Sequence, residues 1–146
     1  MKKVEVNIFI NTKSASVIRA FTDPKMLREW WGVEKSMIET KIGGVYTLTW
    51  GVSESGIQYV STGIICQYDP VHVLEVENFV YLTTEKSFLG PMRLLIKAVE
   101  NEGFVEVYLC QDGYQSGNDW DWYFQAVKEA WPKVMAGLKK YLEAQK

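Results

Sequence analysis

The sequence contains few of the residue types from which metal centres and nucleophilic active sites are built. It has one histidine, His72, and two cysteines, Cys66 and Cys110, which lie far apart and form no CxxC motif. Zinc and iron sites need several such ligands at short spacing, so we expect no metal and two reduced thiols. The chain also shows no nucleophile with a neighbouring base, no Walker motif and no GxGxxG motif. The sequence therefore predicts no catalytic residues and no cofactor.

Charge of one sign is not concentrated anywhere in the chain. The 16 Lys and Arg residues are interspersed with 18 Asp and Glu residues, for a net charge of −2. A nucleic-acid-binding face needs a basic patch that releases counterions, so we expect no nucleic-acid partner. Long apolar runs are also missing, since no stretch approaches the roughly 20 residues of a membrane span and residues 1–8 lack the apolar core of a signal peptide. The expected location is cytoplasmic, without a membrane span.

Aromatic residues, in contrast, are abundant. The 146 residues include six Trp, eight Tyr and six Phe, and 47% of the chain is hydrophobic. Such rings can fill a core, and they can also line an apolar pocket. The length is typical of one domain, and no linker rich in Pro, Gly or Ser divides the chain. We therefore expect a single domain over residues 1–146.

The order of apolar and polar residues predicts strands with two short helices near the start. Alternation over residues 3–10 indicates a half-buried strand. Asn11 or Thr12 can cap a short helix after it, and a second helix begins at Asp23 and ends at Gly32. Six further strands are predicted at about 34–39, 44–51, 57–67, 71–80, 91–100 and 103–113. Because short turns separate these strands, they favour an antiparallel meander over a parallel sheet.

A long helix is predicted from residue 119 to about residue 143, with Asn118 as its N-cap. Its apolar residues recur at spacings of three and four and form one stripe, namely Trp120, Phe124, Val127, Trp131, Val134, Leu138 and Leu142. Trp122 falls off this stripe and is expected to be partly exposed. Pro132 removes a backbone hydrogen bond, so we expect a kink near Trp131. That kink either wraps the helix around a curved sheet or opens a gap for a ligand.

Several motifs carry a family resemblance. Residues 21–32 read Phe-Thr-Asp-Pro-Lys-Met-Leu-Arg-Glu-Trp-Trp-Gly, Gly43-Gly44-Val45-Tyr46 opens a strand, and Trp131-Pro132 lies in the terminal helix. Together they resemble the Aha-type family, related to the C-terminal domain of the activator of the ninety-kilodalton heat-shock-protein ATPase and part of the START-like (SRPBCC) superfamily. The resemblance implies an α+β helix-grip fold like that of the birch-pollen allergen. In that fold a curved antiparallel sheet wraps around a long C-terminal helix, and two short helices follow strand 1.

Strand phase and helical periodicity predict a ligand site between the sheet and the terminal helix. Asn78 shares a face with Leu74 and Val76, and a polar side chain on an apolar face needs a backbone group, a water or a ligand as its partner. Trp30 and Trp31 are neighbours in a helix and are expected to point in different directions, which leaves one of them available to a pocket. The predicted ligand-binding residues are Trp30, Trp31, Tyr46, Trp50, Asn78, Met92, Phe124 and Trp131.

Three functions are compatible with these observations. The first is a non-enzymatic domain that binds a small hydrophobic or aromatic molecule in an apolar cavity. The second, suggested by the resemblance, is a protein-interaction or co-chaperone-like module with a protein partner or as a homodimer. The third is a cyclase or hydrolase of the kind found among other START-like domains, and it ranks last because no acid–base set is recognisable.

Overall fold

The computed structural model describes residues 2–145, in which three helices accompany one sheet of seven strands. The elements are β1 Lys3–Ile10, α1 Ser14–Ala20, α2 Pro24–Trp31, β2 Lys35–Ile38, β3 Val45–Ser53, β4 Gly56–Asp69, β5 Val73–Thr83, β6 Leu89–Asn101, β7 Phe104–Asp112 and α3 Asp119–Glu143. Across the sheet the strand order is β1-β7-β6-β5-β4-β3-β2, and every neighbouring pair is antiparallel. The predicted elements and the antiparallel meander are confirmed.

The sheet curves around α3, and the main core lies between them. Buried side chains of the inner sheet face, such as Leu94 and Leu109, form one cluster with Met135, Leu138 and Leu142 of α3. These inward positions follow the two-residue period of the strands and the three-to-four-residue period of the helix. The predicted helix-grip fold is therefore confirmed. Within residues 2–145, no helix is both long and apolar enough to cross a membrane.

The start of α2 follows local sequence rules. The Asp23 carboxylate accepts hydrogen bonds from the backbone N–H groups of Lys25 and Met26, at 2.9 and 3.4 Å. Pro24 occupies the first helical position, where no N–H is needed. Gly32 ends the helix with φ 73°, a left-handed conformation that favours glycine. Both predicted ends of this helix are confirmed.

The start of α1 is held by a distant residue instead of the predicted local cap. The N-cap position is Lys13, and neither Asn11 nor Thr12 caps the helix. Glu100, at the end of β6, accepts hydrogen bonds from the backbone N–H and the hydroxyl of Ser14, both at 3.1 Å. These bonds lower the pKa of the Glu100 carboxyl. The predicted local cap was wrong, because the acceptor for the first turn is Glu100 of β6, a residue distant in sequence.

The first turn of α3 also differs from its prediction. Asn118 has φ 49° and makes no side-chain capping bond. The carboxylate of Asp119 accepts hydrogen bonds from the backbone and hydroxyl of Ser87, both at 2.8 Å, and so ties the helix start to the loop before β6. The helix continues through Pro132 to Glu143, and the kink expected there stays a prediction.

A β-bulge changes the direction of side chains in β5. Val76 pairs with Leu94 and Phe79 pairs with Met92, so β5 has one more residue than β6 between these pairs. Val76 and Phe79 are both buried, whereas Asn78 between them is exposed and has φ 50°. The inward phase of the strand therefore shifts by one residue at the bulge.

The N-cap of α2 gives a first prediction. We expect Asp23→Ala to lower the free energy of unfolding by about 1 kcal/mol, because two helix N–H groups lose their acceptor. Urea unfolding followed by circular dichroism measures this loss. Glu102→Ala, at an exposed turn, is the control and should change stability by less than about 0.5 kcal/mol. Equal effects of the two substitutions would contradict a capping role.

Candidate functional site

An apolar cavity lies between the inner face of the sheet and the first half of α3. Its volume is about 340 Å³, within the size range of small-molecule sites. The lining residues are Trp31, Trp50, Tyr59, Ser61, Phe79, Tyr81, Gln111, Trp122, Tyr123, Ala126, Val127, Ala130, Trp131 and Val134. Trp122, which is 44% exposed, lies where the cavity meets the surface, so the predicted exposure of this residue is confirmed.

The space for the cavity comes from small residues of α3. Ala126 and Ala130 are four residues apart, and this spacing places them on one side of the helix. Opposite them, the sheet presents the larger rings of Trp50, Phe79 and Tyr81. An alanine side chain reaches only one carbon from the backbone, so it cannot fill the gap between helix and sheet. The helix therefore covers the cavity without occupying it.

Three indoles enclose one part of the cavity. The ring centroid of Trp31 lies 5.4 Å from that of Trp50 and 5.5 Å from that of Trp131. The Trp50 indole N–H donates a hydrogen bond to the backbone carbonyl of Trp31, at 3.3 Å. Tyr81 and Tyr123 form another part of the wall, with 5.1 Å between their ring centroids. The site thus offers several rigid aromatic faces to a ligand.

One polar side chain, Gln111 of β7, lies beneath this aromatic wall and is only 1% exposed. Its Oε1 accepts a hydrogen bond of 2.6 Å from the indole N–H of Trp131. Its Nε2 lies 3.1 Å from the hydroxyl oxygen of Tyr123 and 3.3 Å from the sulfur of Met92. Gln111 therefore links two residues of α3 to the sheet at the cavity wall.

The phenol of Tyr123 stays protonated over the physiological pH range. Burial raises its pKa to about 12, and the hydrogen bond from Gln111 acts in the opposite direction. Among the residues that the structure describes, no charged side chain lines the cavity. Within residues 2–145, no group of three or more His, Cys, Asp or Glu side chains could hold a metal ion, and Cys66 and Cys110 are free thiols. The site therefore offers aromatic surface and neutral polar groups.

Three of the eight predicted site residues line the cavity, namely Trp31, Trp50 and Trp131. Trp30 lies behind Trp31, with 5.1 Å between ring centroids and 20° between planes, and its indole N–H donates to the Ala20 carbonyl. The expectation that these neighbouring indoles diverge is wrong, because rotation about the side-chain bonds brings the rings together. Tyr46 is fully buried away from the cavity, where its hydroxyl donates to the Phe21 carbonyl at 2.7 Å.

The other three predicted residues do not line the cavity either. Asn78 is exposed, because the bulge in β5 turns it away from the inner face. Met92 is buried below the amide of Gln111. Phe124 is half-buried against the core, as the predicted stripe requires, but it packs edge-on against Tyr114, at 5.1 Å between ring centroids, and does not line the cavity. The residue of this turn that is buried against the sheet is Tyr123, which bonds to Gln111.

Gln111, the buried polar residue at the cavity wall, was not among the predicted site residues, although the sequence carries a signal for it. Val105, Val107, Leu109 and Gln111 alternate along β7, and all four side chains are buried. Gln111, unlike Asn78, is a polar residue in phase with inward apolar residues, and such a residue needs a hydrogen-bond partner. The four-residue spacing of Ala126 and Ala130 was a second signal, because it places two short side chains on the same face of the helix.

These features define the class of protein. A curved antiparallel sheet that grips a long C-terminal helix over an apolar cavity is a helix-grip domain. The model of the family described as Activator of Hsp90 ATPase homolog 1-like protein matches residues 11–143, and the chain belongs to this family. Among curated proteins, no sequence matches this chain.

Solved structures share the fold at low sequence identity. A protein of Mesorhizobium loti superposes with a TM-score of 0.78 and 16% identity, over 99% of each chain. The Aha1 dimer of Colwellia psychrerythraea gives a TM-score of 0.72 and 14% identity, over 98% of this chain and 97% of that one. CalU16 of Micromonospora echinospora gives 0.69 and 13%, over 98% and 77%. At these identities the likeness shows the fold alone.

The buried amide of Gln111 gives a second prediction. We expect Gln111→Leu to lower the free energy of unfolding by about 2 kcal/mol, because the indole N–H of Trp131 loses its acceptor in a buried place. Chemical unfolding followed by tryptophan fluorescence measures the loss. Gln67→Leu, on an exposed position of β4, is the matched control and should change stability by less than about 0.5 kcal/mol. A loss below that level for Gln111→Leu would contradict the role of the amide.

The buried tyrosines give a third prediction, on alkaline pH. Burial raises the pKa values of Tyr46, Tyr114 and Tyr123 above the ordinary value of 10, so the folded state keeps protons that the unfolded state loses. The free energy of unfolding should therefore fall as the pH rises above 10, by up to about 1.4 kcal/mol per pH unit for each tyrosine. Urea unfolding between pH 8 and about 11 tests this, and Tyr123→Phe should make the decline shallower. Constant stability over that range would contradict the prediction.

Proposed function

We propose that this protein is a binding domain, rather than an enzyme, for a small neutral molecule of largely apolar or aromatic character. The observation that carries the proposal is the cavity of about 340 Å³ between the sheet and α3. Protein interiors contain few voids much larger than a water molecule. A space of this size, walled by rings and open at Trp122, is suited to a ligand.

The chemistry of the lining supports a neutral ligand. A charged group that enters an apolar cavity loses its hydration, and the described lining residues offer no opposite charge to compensate. Flat rings can pack against the indoles of Trp31, Trp50 and Trp131 in stacked or edge-on arrangements. The sparse polar groups, among them Ser61 and Tyr123, can orient such a molecule.

A protein-interaction role is the alternative, and specific observations favour it. The outer surface carries several exposed apolar side chains, including Ile57, Leu82 and Phe88, which together border a shallow groove. Exposed apolar patches of this kind can mark contact surfaces. The Aha1 structure from Colwellia psychrerythraea is described as a dimer. Among possible protein partners, a second copy of this chain is therefore the one that has support.

Filling the cavity tests the ligand-binding proposal and gives a fourth prediction. The probe is N-phenyl-1-naphthylamine, a neutral aromatic amine whose fluorescence rises in apolar surroundings. We expect saturable binding to the unmodified protein and at least a tenfold loss of affinity in Ala126→Phe, because the added ring occupies the cavity. Fluorescence titration measures both.

The matched control is Ala136→Phe, at an exposed position of α3 outside the cavity. It should leave probe affinity unchanged within about twofold, and thermal unfolding should show both variants to be folded. If the unmodified protein fails to bind the probe, or if both variants lose affinity equally, the cavity is not the binding site. A function at the outer surface would then be favoured.

A further inference from the structure

The hydrogen bonds around Gln111 have a fixed direction. An indole N–H is a donor only, and that of Trp131 points at Gln111 with 2.6 Å between nitrogen and oxygen. The amide oxygen must therefore face Trp131, since the opposite orientation would set an NH₂ group against an N–H group. The amide nitrogen consequently faces Tyr123 and Met92, both of which can accept a hydrogen bond.

The direction set at Gln111 continues through Tyr123. The amide nitrogen donates to the phenol oxygen at 3.1 Å, so the phenol uses a lone pair in this contact and keeps its own proton for another partner. Within residues 2–145 the structure shows no acceptor for that proton. Tyr123 is 5% exposed and lines the cavity, so a bound molecule is the remaining place for an acceptor.

The phenol is a dependable donor at physiological pH. Burial holds its pKa at about 12, so it keeps its proton under those conditions. The other cavity hydroxyls are less constrained. Tyr59 and Tyr81 are partly exposed, so water can reach their side chains, and the hydroxyl of Ser61 can rotate to act as donor or acceptor. Tyr123 is therefore the cavity hydroxyl that the protein itself fixes as a hydrogen-bond donor.

We propose that Tyr123 makes the cavity selective for neutral aromatic molecules that carry a hydrogen-bond acceptor, such as a carbonyl oxygen, which takes the phenolic proton. This inference rests on the proposed ligand-binding function. In the complex, the hydrogen bonds run from Trp131 to Gln111, from Gln111 to Tyr123 and from Tyr123 to the ligand. A ligand of the same shape without the acceptor leaves the buried phenol proton unpaired, which weakens its binding.

Two probes of nearly equal shape test the proposal, and this is the fifth prediction. 2-Acetylnaphthalene has a carbonyl oxygen where 2-isopropenylnaphthalene has a CH₂ group. Isothermal titration calorimetry gives the dissociation constant of each probe with the unmodified protein and with Tyr123→Phe. We expect Tyr123→Phe to weaken the ketone about three- to tenfold and to change the alkene less than twofold. Tyr81→Phe and Ser61→Ala test the other hydroxyls at the cavity wall, and neither should change the ratio of the two constants if Tyr123 is the donor. Tyr108→Phe is the control, because this tyrosine lies outside the cavity and bonds to Glu5, and it should leave both constants unchanged.

The possible outcomes separate the two proposals. If neither probe binds the unmodified protein, the proposed function fails, and this inference fails with it. If both probes bind but Tyr123→Phe weakens them equally, only the role of Tyr123 is overturned. A change of the ratio in Tyr81→Phe or Ser61→Ala instead would assign the donor to that residue and would also overturn the proposal.

A measurement on the unmodified protein makes the test independent of the variants. The infrared stretching frequency of the ketone carbonyl falls when its oxygen accepts a hydrogen bond. We expect the carbonyl band of bound 2-acetylnaphthalene to lie below its position in hexane, and to be sharper than in water because the donor is fixed. A band at the hexane position would show that no donor reaches the ligand, and would overturn the inference.

Discussion

The hydrogen bond between the indole nitrogen of Trp131 and the amide oxygen of Gln111, 2.6 Å long, joins α3 to the sheet at the wall of the cavity. Both groups are buried, so each would be costly to leave without a partner. Tyr123 adds a second link from the helix to the same amide. Together these bonds hold α3 in one rotation about its axis, and in this rotation Ala126 and Ala130 border the cavity. The cavity has room because two short alanine side chains stand among the larger α3 residues that line it, opposite the rings of β3 and β5.

The cavity combines rigid walls with little polarity, and this combination connects the fold to the proposed function. Indole and phenol rings have few rotatable bonds, so the wall keeps its shape when the cavity is empty. Binding a ligand therefore costs little entropy for ordering the side chains of the wall. The short helix α2 contributes Trp31, and its position depends on the cap at Asp23 and the turn at Gly32. Membership of the family described as Activator of Hsp90 ATPase homolog 1-like protein agrees with the fold.

Much of the fold could be predicted from the sequence, whereas only three of the eight predicted site residues lie at the cavity. Alternation in β1, the turns between strands and the cap at Asp23 are local features, and they gave correct elements in the correct order. Trp31, Trp50 and Trp131 lie at the cavity because no bulge interrupts their elements before them, and their contact with a ligand stays a prediction. Asn78 was misplaced because a single extra residue in β5 reverses the phase of every side chain after it. Phe124 was misplaced because Tyr123 turns toward Gln111, which lies 12 residues earlier in the chain.

The sequence by itself determined the class of fold, the family and the aromatic character of the interior, because these depend on periodicity, caps and composition within short stretches of chain. The tertiary structure alone decided which rings enclose the cavity, how Glu100 holds the start of α1 and how Gln111 aligns Trp131 and Tyr123. The hydrogen bonds among these contacts join residues from 12 to 86 positions apart. No local rule specifies such pairs, since they form only when the bulge, the curvature of the sheet and the rotation of the helix act together.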